Sequence, residues 1–253
     1  KFKMGKILFK KLNPKWSCIL SKKKFKRVFL ALDTNNIKYA EKFVTILKKE
    51  LAGIKIGKEL FSYYGPSIVN KFRKYNLPIF LDLKFHDIPT TVYKAVKAIN
   101  CVKPNYLSIH GIGGNDMIKA ALRASGNTKI LTVSLLSHHD QKSLNEIGIK
   151  KSVNNEIKKL VDNAIKNNVS GLILAPKDLE IIKKINKKFE IFVPGIRPKN
   201  IKTNEHKRSL DPLTAIKKGA TYIIIGRPIT KSKNPKRTLK LINEEIKNYL
   251  EKN

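Results

Sequence analysis

The stretch Ile79-Phe80-Leu81-Asp82-Leu83-Lys84-Phe85-His86-Asp87-Ile88-Pro89-Thr90-Thr91 decides how the rest of the chain is interpreted. It begins as an apolar strand, and Asp82 and Lys84 then stand two positions apart where a buried core is expected. Because side chains of a strand alternate between two faces, these two residues should point the same way. A buried charge is costly unless it is paired. The pattern predicts either a structural ion pair at a strand end or, together with Asp87, a cluster of charged groups that performs chemistry.

Length and composition limit the class of protein. The chain has 253 residues and is 42% hydrophobic, which is enough for one large domain or two small ones. Its two cysteines, Cys18 and Cys101, provide neither a disulfide framework nor a metal cluster. Since no apolar run approaches the length of a membrane span, we expect a soluble protein of the cytoplasm with no membrane partner.

The net charge of +34 suggests nucleic-acid binding at first. However, only seven of the 53 basic residues are arginine, and the lysines are spread along the whole chain. Lysine, asparagine and isoleucine are all abundant, and they share A/U-rich codons, so nucleotide bias explains the charge better. We expect no specific nucleic-acid partner, although the charge would draw anionic substrates inward.

The first 26 residues differ from the rest because they are rich in lysine and contain no acidic residue. A transit peptide usually favours arginine and serine, and Met4 could be the true start of the protein. We therefore expect residues 1–26 to be a poorly ordered basic extension and residues 27–253 to form a single domain.

From Arg27 onward, short apolar runs alternate with helical patterns. Eight strand–helix units predict an α/β protein with a parallel sheet, closed as a (β/α)₈ barrel. An open doubly wound sheet is disfavoured because no glycine-rich dinucleotide motif follows the first strand. We also expect a polar loop after the fifth strand and a helix over residues 177–187. The predicted strands span residues 28–32, 52–57, 78–83, 105–110, 130–135, 171–174, 191–194 and 221–225.

Almost every predicted strand ends in a polar or charged residue. In such a barrel the active site lies where the carboxyl ends of the strands meet. The residues expected there are Asp33, Lys55, Asp82, Lys84, Asp87, His110, Ser137, Arg197 and Arg227.

Two arginines come from the seventh and eighth strands, where this fold commonly binds phosphate. Arginine can bind phosphate through paired hydrogen bonds, and Gly226 lets the backbone approach an anion beside Arg227. We see no cofactor motif, and the run His138-His139-Asp140 is better read as solvent-exposed than as a metal site. The lysines and carboxylates could instead stabilise a developing carbanion and supply a proton.

The run from Asp82 to Pro89, followed by Thr91, resembles the signature of the orotidine 5′-phosphate decarboxylase family in its bacterial form. Other motifs of the family follow in its order: Leu30–Asp33, Lys55–Glu59, Val193–Pro198 and Ile225–Thr230. The resemblance covers nearly the whole chain from about Arg27.

This resemblance implies conversion of orotidine 5′-monophosphate to uridine 5′-monophosphate, in pyrimidine synthesis, with no metal or organic cofactor. It implies that Lys84 gives a proton to C6 of the pyrimidine, that Asp82 lies against the substrate carboxylate, and that Lys55 and Asp87 complete the charged groups. It also implies a homodimer in which Asp87 and Thr91 reach into the neighbouring subunit's site. The implied substrate-binding residues are Asp33, Lys55, Asp82, Thr91, Ser137, Arg197, His206, Gly226 and Arg227.

The chain departs from the family pattern at two positions. Bacterial members usually carry threonine in place of Ser137 and glutamine in place of His206. The hydroxyl survives in the first case. His206 is shorter than glutamine and titrates near neutrality, so we expect weaker loop closure and unchanged chemistry.

Two alternatives stay open. A related barrel enzyme such as a keto-gulonate phosphate decarboxylase or a hexulose phosphate synthase shares the Asp-x-Lys-x-x-Asp element, but it needs magnesium and carries glutamate in place of Lys55. The chain could also be a decayed barrel that binds polyanions, although its four charged residues are intact.

Overall fold

Eight parallel strands close into one barrel in the computed structural model, which describes residues 25–182, 189–198 and 210–252. Each strand pairs with the next along the chain, and β1 also pairs with β8. The predicted (β/α)₈ barrel is therefore confirmed. The strands are β1 Val28–Leu32, β2 Gly53–Gly57, β3 Ile79–Phe85, β4 Tyr106–His110, β5 Lys129–Val133, β6 Gly171–Ile173, β7 Glu190–Val193 and β8 Tyr222–Ile225.

The connections between strands are helical. No helix in the part of the chain that the structure describes is long and apolar enough to cross a membrane. Residues 1–24 lie outside the described residues, so the expected basic extension stays a prediction. The α-helices are α1 Ile37–Leu47, α2 Lys58–Tyr64, α3 Ser67–Arg73, α4 Pro89–Ile99, α5 Gly114–Ala124, α6 Gln141–Glu146, α7 Val153–Lys166, α8 Pro212–Lys217, α9 Arg227–Thr230 and α10 Pro235–Leu250. Three 3₁₀ helices cover Asn100–Val102, Gly111–Gly113 and Pro176–Ile182.

Two expectations about these connections were wrong in detail. The segment after β5 is not only a loop, because α6 forms within it. Asp140 accepts a hydrogen bond from the Ser143 backbone, and the Ser143 hydroxyl accepts one from the Asp140 backbone, which stabilises the start of α6. The helix expected over residues 177–187 is a 3₁₀ helix that starts at Pro176, and residues 183–188 lie outside the described part.

The strands are buried on both faces, so the barrel has two apolar layers. Along β1, Val28 and Leu30 belong to the layer between the strands and the helices, whereas Phe29 and Ala31 belong to the barrel interior. This follows from the period of two along a strand. Lys55 pairs with Ala31 and therefore also points toward the axis of the barrel. Asp33 follows Ala31 by two positions and points the same way.

Aromatic rings fill the interior at the amino-terminal ends of the strands. Phe192 lies at their centre, with its ring centroid 4.9–5.4 Å from those of its four neighbours. We call this cluster the aromatic floor; it consists of Phe29, Phe80, Tyr106, Phe192 and Tyr222. Among the described residues, this floor fills the barrel interior at the amino-terminal ends of the strands.

Candidate active site

Four charged side chains of alternating sign meet at the carboxyl ends of the first three strands. The Lys55 ammonium lies 2.8 Å from Asp33 Oδ1 and 3.7 Å from Asp82 Oδ2. The Lys84 ammonium lies 2.7 Å from Asp82 Oδ1. We call Asp33, Lys55, Asp82 and Lys84 the charged array. The structure brings together Lys55, Asp82 and Lys84 as the sequence predicts, and it adds Asp33 as a direct partner of Lys55.

Burial makes the pairing within the array obligatory. The side chains of Lys55 and Asp82 are only 9% and 10% exposed, whereas that of Asp33 is 58% exposed. Burial alone would lower the pKa of Lys55, but Asp82 and Asp33 more than offset it, and the pKa is raised above its ordinary value. Burial would likewise raise the pKa of Asp82, but Lys55 and Lys84 outweigh it and the pKa is lowered. Lys55 and Asp82 therefore both stay charged at neutral pH.

Close approach of Asp33 to Lys55 requires a glycine in the second strand. A Cβ atom at Gly57 would lie 2.8 Å from Asp33 Oδ1 and 3.1 Å from Lys55 Nζ. Any larger residue at this position would displace the ion pair. The sequence shows that Gly57 follows Lys55 by two positions and so points to the same face of the strand. It does not show that the side chain of Asp33 comes close to this glycine.

The backbone of β3 is irregular at Lys84. Its φ is +53°, in the left-handed region that non-glycine residues rarely adopt. The pairing of β3 with β4 shifts register between Leu81 and Phe85, which marks a bulge. Asp82 and Lys84 do face the same site, as expected, but this arrangement involves the bulge and not regular alternation alone.

Ser108 of β4 lies opposite this bulge and was missed by the sequence reasoning. Its hydroxyl accepts a hydrogen bond from the Lys84 backbone amide and donates one to Asp82 Oδ1, both at 2.9 Å. Ser108 is fully buried. A serine within an apolar strand gives little signal in a sequence, because a hydroxyl can also be satisfied by the backbone.

A cavity of about 470 Å³ opens beside the array. This volume is typical of sites for small molecules. Its lining combines charged residues with apolar ones, among them Tyr39 and Phe43 of α1. The expected site residues that line it are Asp33, Lys55, Asp82, Ser137, Arg197, Gly226 and Arg227. The two arginines thus share one cavity with three members of the charged array, Asp33, Lys55 and Asp82. Lys84 is not part of this lining and reaches it through its contact with Asp82.

Two expected site residues, Asp87 and Thr91, lie away from this cavity. Asp87 and Thr91 are exposed in the single chain, and Asp87 Oδ1 accepts a hydrogen bond from the Ile88 backbone at 2.7 Å. Neither residue lines the cavity. His206 lies outside the described residues, so its role stays a prediction.

His110, at the end of β4, lies close to the array. Its ring centroid is 5.6 Å from that of His86. Burial, followed by the nearby His86 and Lys84, lowers the pKa of His110 to about 4. A neutral imidazole therefore lies near Lys84 at physiological pH, and β4 adds no further cation to the site.

The histidine and carboxylate side chains of the described residues do not gather into a metal site. Within residues 25–182, 189–198 and 210–252, no group of three or more histidine, cysteine, aspartate or glutamate side chains is arranged to hold a metal ion. The pair His138 and His139 stacks at 4.4 Å between ring centroids, and His138 is exposed as expected.

Comparison with known proteins decides the family. A sequence model of the "Orotidine 5′-phosphate decarboxylase / HUMPS family" matches residues 26–242. The chain belongs to this family. The matched region contains all eight strands, the charged array and both arginines of the cavity.

Individual relatives agree with the family assignment. The chain is 36% identical over 227 residues to a protein of Nitrosococcus oceani named orotidine 5′-phosphate decarboxylase, covering 88% of this chain and 98% of that protein. A protein of the same name from Nitrosomonas eutropha is 34% identical over 223 residues, covering 87% and 96% of the two chains. A solved structure titled orotidine 5′-phosphate decarboxylase, from Lactobacillus acidophilus, superposes with a TM-score of 0.75 at 30% identity, covering 87% of this chain and 99% of that one.

Proposed function

We propose that this chain decarboxylates orotidine 5′-monophosphate to uridine 5′-monophosphate without a metal or organic cofactor. The observation that carries the proposal is the charged array beside an arginine-lined cavity. Relatives bearing the name of this enzyme over nearly their whole length support it.

The cavity offers a different kind of contact to each end of such a nucleotide. Arg197, Arg227 and the backbone at Gly226 would hold the phosphate, because guanidinium groups bind phosphate through paired hydrogen bonds. Asp33 would accept hydrogen bonds from the ribose hydroxyls, and Ser137 would contact the pyrimidine. The phosphate would then contribute binding energy at a distance from the reacting carbon, which helps to orient that carbon against the array.

The reaction itself needs a proton donor at C6 and a cation where charge develops. When the bond from C6 to the carboxylate breaks, carbon dioxide leaves and the electron pair stays on C6. Lys84 then gives a proton to C6, and the resulting amine regains a proton from solvent. Asp82 would lie against the substrate carboxylate while its contacts with Lys55 and Lys84 hold both ammonium groups in place.

Lys55 separates this proposal from a magnesium-dependent reaction on a sugar phosphate. A divalent cation prefers oxygen ligands. In this chain the position between Asp33 and Asp82 is instead taken by an ammonium group, at 2.8 and 3.7 Å. An ammonium there competes with a metal ion for the same carboxylates.

The activity is tested by following the loss of orotidine 5′-monophosphate spectrophotometrically, with a chelator present. We expect sustained turnover that added magnesium does not increase. Absence of turnover, together with magnesium-dependent activity on a sugar phosphate, would contradict the proposal. Binding of polyanions with no turnover of either substrate would favour a decayed barrel.

The proposal includes a homodimer in which each subunit lends Asp87 and Thr91 to the other's site. Its support is the exposure of both residues, together with Ile88 between them, which is 64% exposed.

The shared site is tested by mixing two inactive variants. A mixed dimer of a Lys84→Ala subunit and an Asp87→Ala subunit would contain one site with both lesions and one intact site. Mixing the two inactive variants by refolding should restore about a quarter of the wild-type activity. No recovery in verified mixed dimers would contradict the shared site.

A further inference from the structure

The bulge of β3 depends on a single residue of the neighbouring strand. Leu81 pairs with Leu107 and Phe85 pairs with Ile109. Three residues of β3, numbers 82 to 84, therefore lie opposite Ser108 alone. The extra length of β3 displaces Lys84 from regular ladder geometry, and its backbone takes the left-handed conformation at φ +53°.

The hydroxyl of Ser108 connects the two functional residues of this bulge. It accepts from the Lys84 amide and donates to Asp82 Oδ1, and the Lys84 ammonium contacts the same Oδ1 atom at 2.7 Å. These contacts form a closed ring that runs from the Lys84 backbone through the serine hydroxyl and the carboxylate to the Lys84 ammonium. A hydroxyl suits this position because it donates and accepts at once.

We propose that Ser108 is a positioning residue that fixes both ends of Lys84, its backbone directly and its ammonium through Asp82. Ser108 does not line the cavity and so acts only through the residues it holds. The consequence concerns turnover more than binding, because the contacts of the Ser108 hydroxyl are with Lys84 and Asp82, and Ser108 is not part of the cavity lining to which the arginines belong. The inference rests on the proposed function insofar as Lys84 is the proton donor.

The test compares two buried serines of the same barrel. Ser108→Ala removes the bridging hydroxyl. Ser134→Ala is the matched control, because Ser134 is also buried, at 3% exposure, and its hydroxyl has no hydrogen-bond partner among the described residues. The measured quantities are kcat, the dissociation constant of uridine 5′-monophosphate, and hydrogen exchange of the Lys84 backbone amide.

For Ser108→Ala we expect kcat to fall roughly 10- to 100-fold, because a small displacement of the proton donor is costly. The dissociation constant of uridine 5′-monophosphate should stay within about threefold of wild type, because the cavity lining is unchanged. The Lys84 amide should exchange about tenfold faster or more, because the hydroxyl to which it donates is lost. Ser134→Ala should leave all three quantities near their wild-type values.

A Ser108→Ala protein with kcat near wild type and unchanged exchange of the Lys84 amide would overturn the inference. An equal loss of kcat in Ser134→Ala would also overturn it.

If Ser108→Ala does not fold, Ser108→Cys replaces it, because the thiol has nearly the same shape but is a weak hydrogen-bond donor. The same losses are then expected. Amide exchange is independent of turnover, so an inactive wild-type protein would contradict the proposed function while the ring through Ser108 is still tested.

Discussion

The two ends of the barrel interior are built from opposite kinds of contact. At the amino-terminal ends of the strands, the aromatic floor places ring against ring with Phe192 at its centre. At the carboxyl ends, the charged array places ammonium groups against carboxylates around Asp82. The floor thus fills the interior of the barrel with apolar rings, whereas Asp33, Lys55 and Asp82 of the array line a cavity.

The backbone differs between the two ends as well. The floor lies on regular strand pairs such as Phe80 with Tyr106, whereas the array includes a left-handed lysine on a bulge. Strained residues of this kind persist only where the surrounding contacts hold them, and they concentrate at functional sites. We therefore expect the floor to contribute stability and, under the proposed function, the array to contribute chemistry.

Removing the central ring of the floor should produce the largest change in stability. Phe192→Ala leaves a cavity among four aromatic neighbours, and large-to-small substitutions of this kind cost about 3–5 kcal/mol in the free energy of unfolding. Denaturant unfolding measures the loss. Leu241→Ala is the control, because Leu241 is 55% exposed and its truncation should cost little. A cost for Phe192→Ala no larger than that of the control would mean that the floor does not stabilise the barrel.

Acidification should lower the free energy of unfolding by a smaller amount, through His110 at the carboxyl end of β4. Its pKa is lowered from an ordinary 6.5 to about 4, so the unfolded chain takes up this proton before the folded chain does. The free energy of unfolding should therefore fall as the pH drops from 6.5 to about 4, by at most about 1.4 kcal/mol per pH unit from this group. In His110→Gln the decline should be shallower over the same range. An identical pH dependence in the two proteins would show that His110 titrates normally.

The sequence predicted the architecture well, because period-two strands and helical connections repeat eight times. It also predicted that Lys55, Asp82 and Lys84 lie at one site, because the strands of a parallel barrel end at the same face. It did not predict the role of Ser108, because a bulge that places three residues opposite one depends on how two strands pair. The crowding at Gly57 was likewise invisible, because it depends on where the side chains of Asp33 and Lys55 meet in space.

The most direct test compares two lysines that form ion pairs at opposite ends of the same barrel. Lys84 contacts Asp82 at the carboxyl ends of the strands, and Lys129 contacts Glu190 at 3.1 Å at the amino-terminal ends, beside the aromatic floor. In single-turnover experiments with orotidine 5′-monophosphate, Lys84→Ala should lose about 10²- to 10⁴-fold or more in rate while still binding uridine 5′-monophosphate, whereas Lys129→Ala should keep the wild-type rate. A Lys84→Ala protein that decarboxylates as fast as Lys129→Ala would contradict the assignment of the charged array as the catalytic centre.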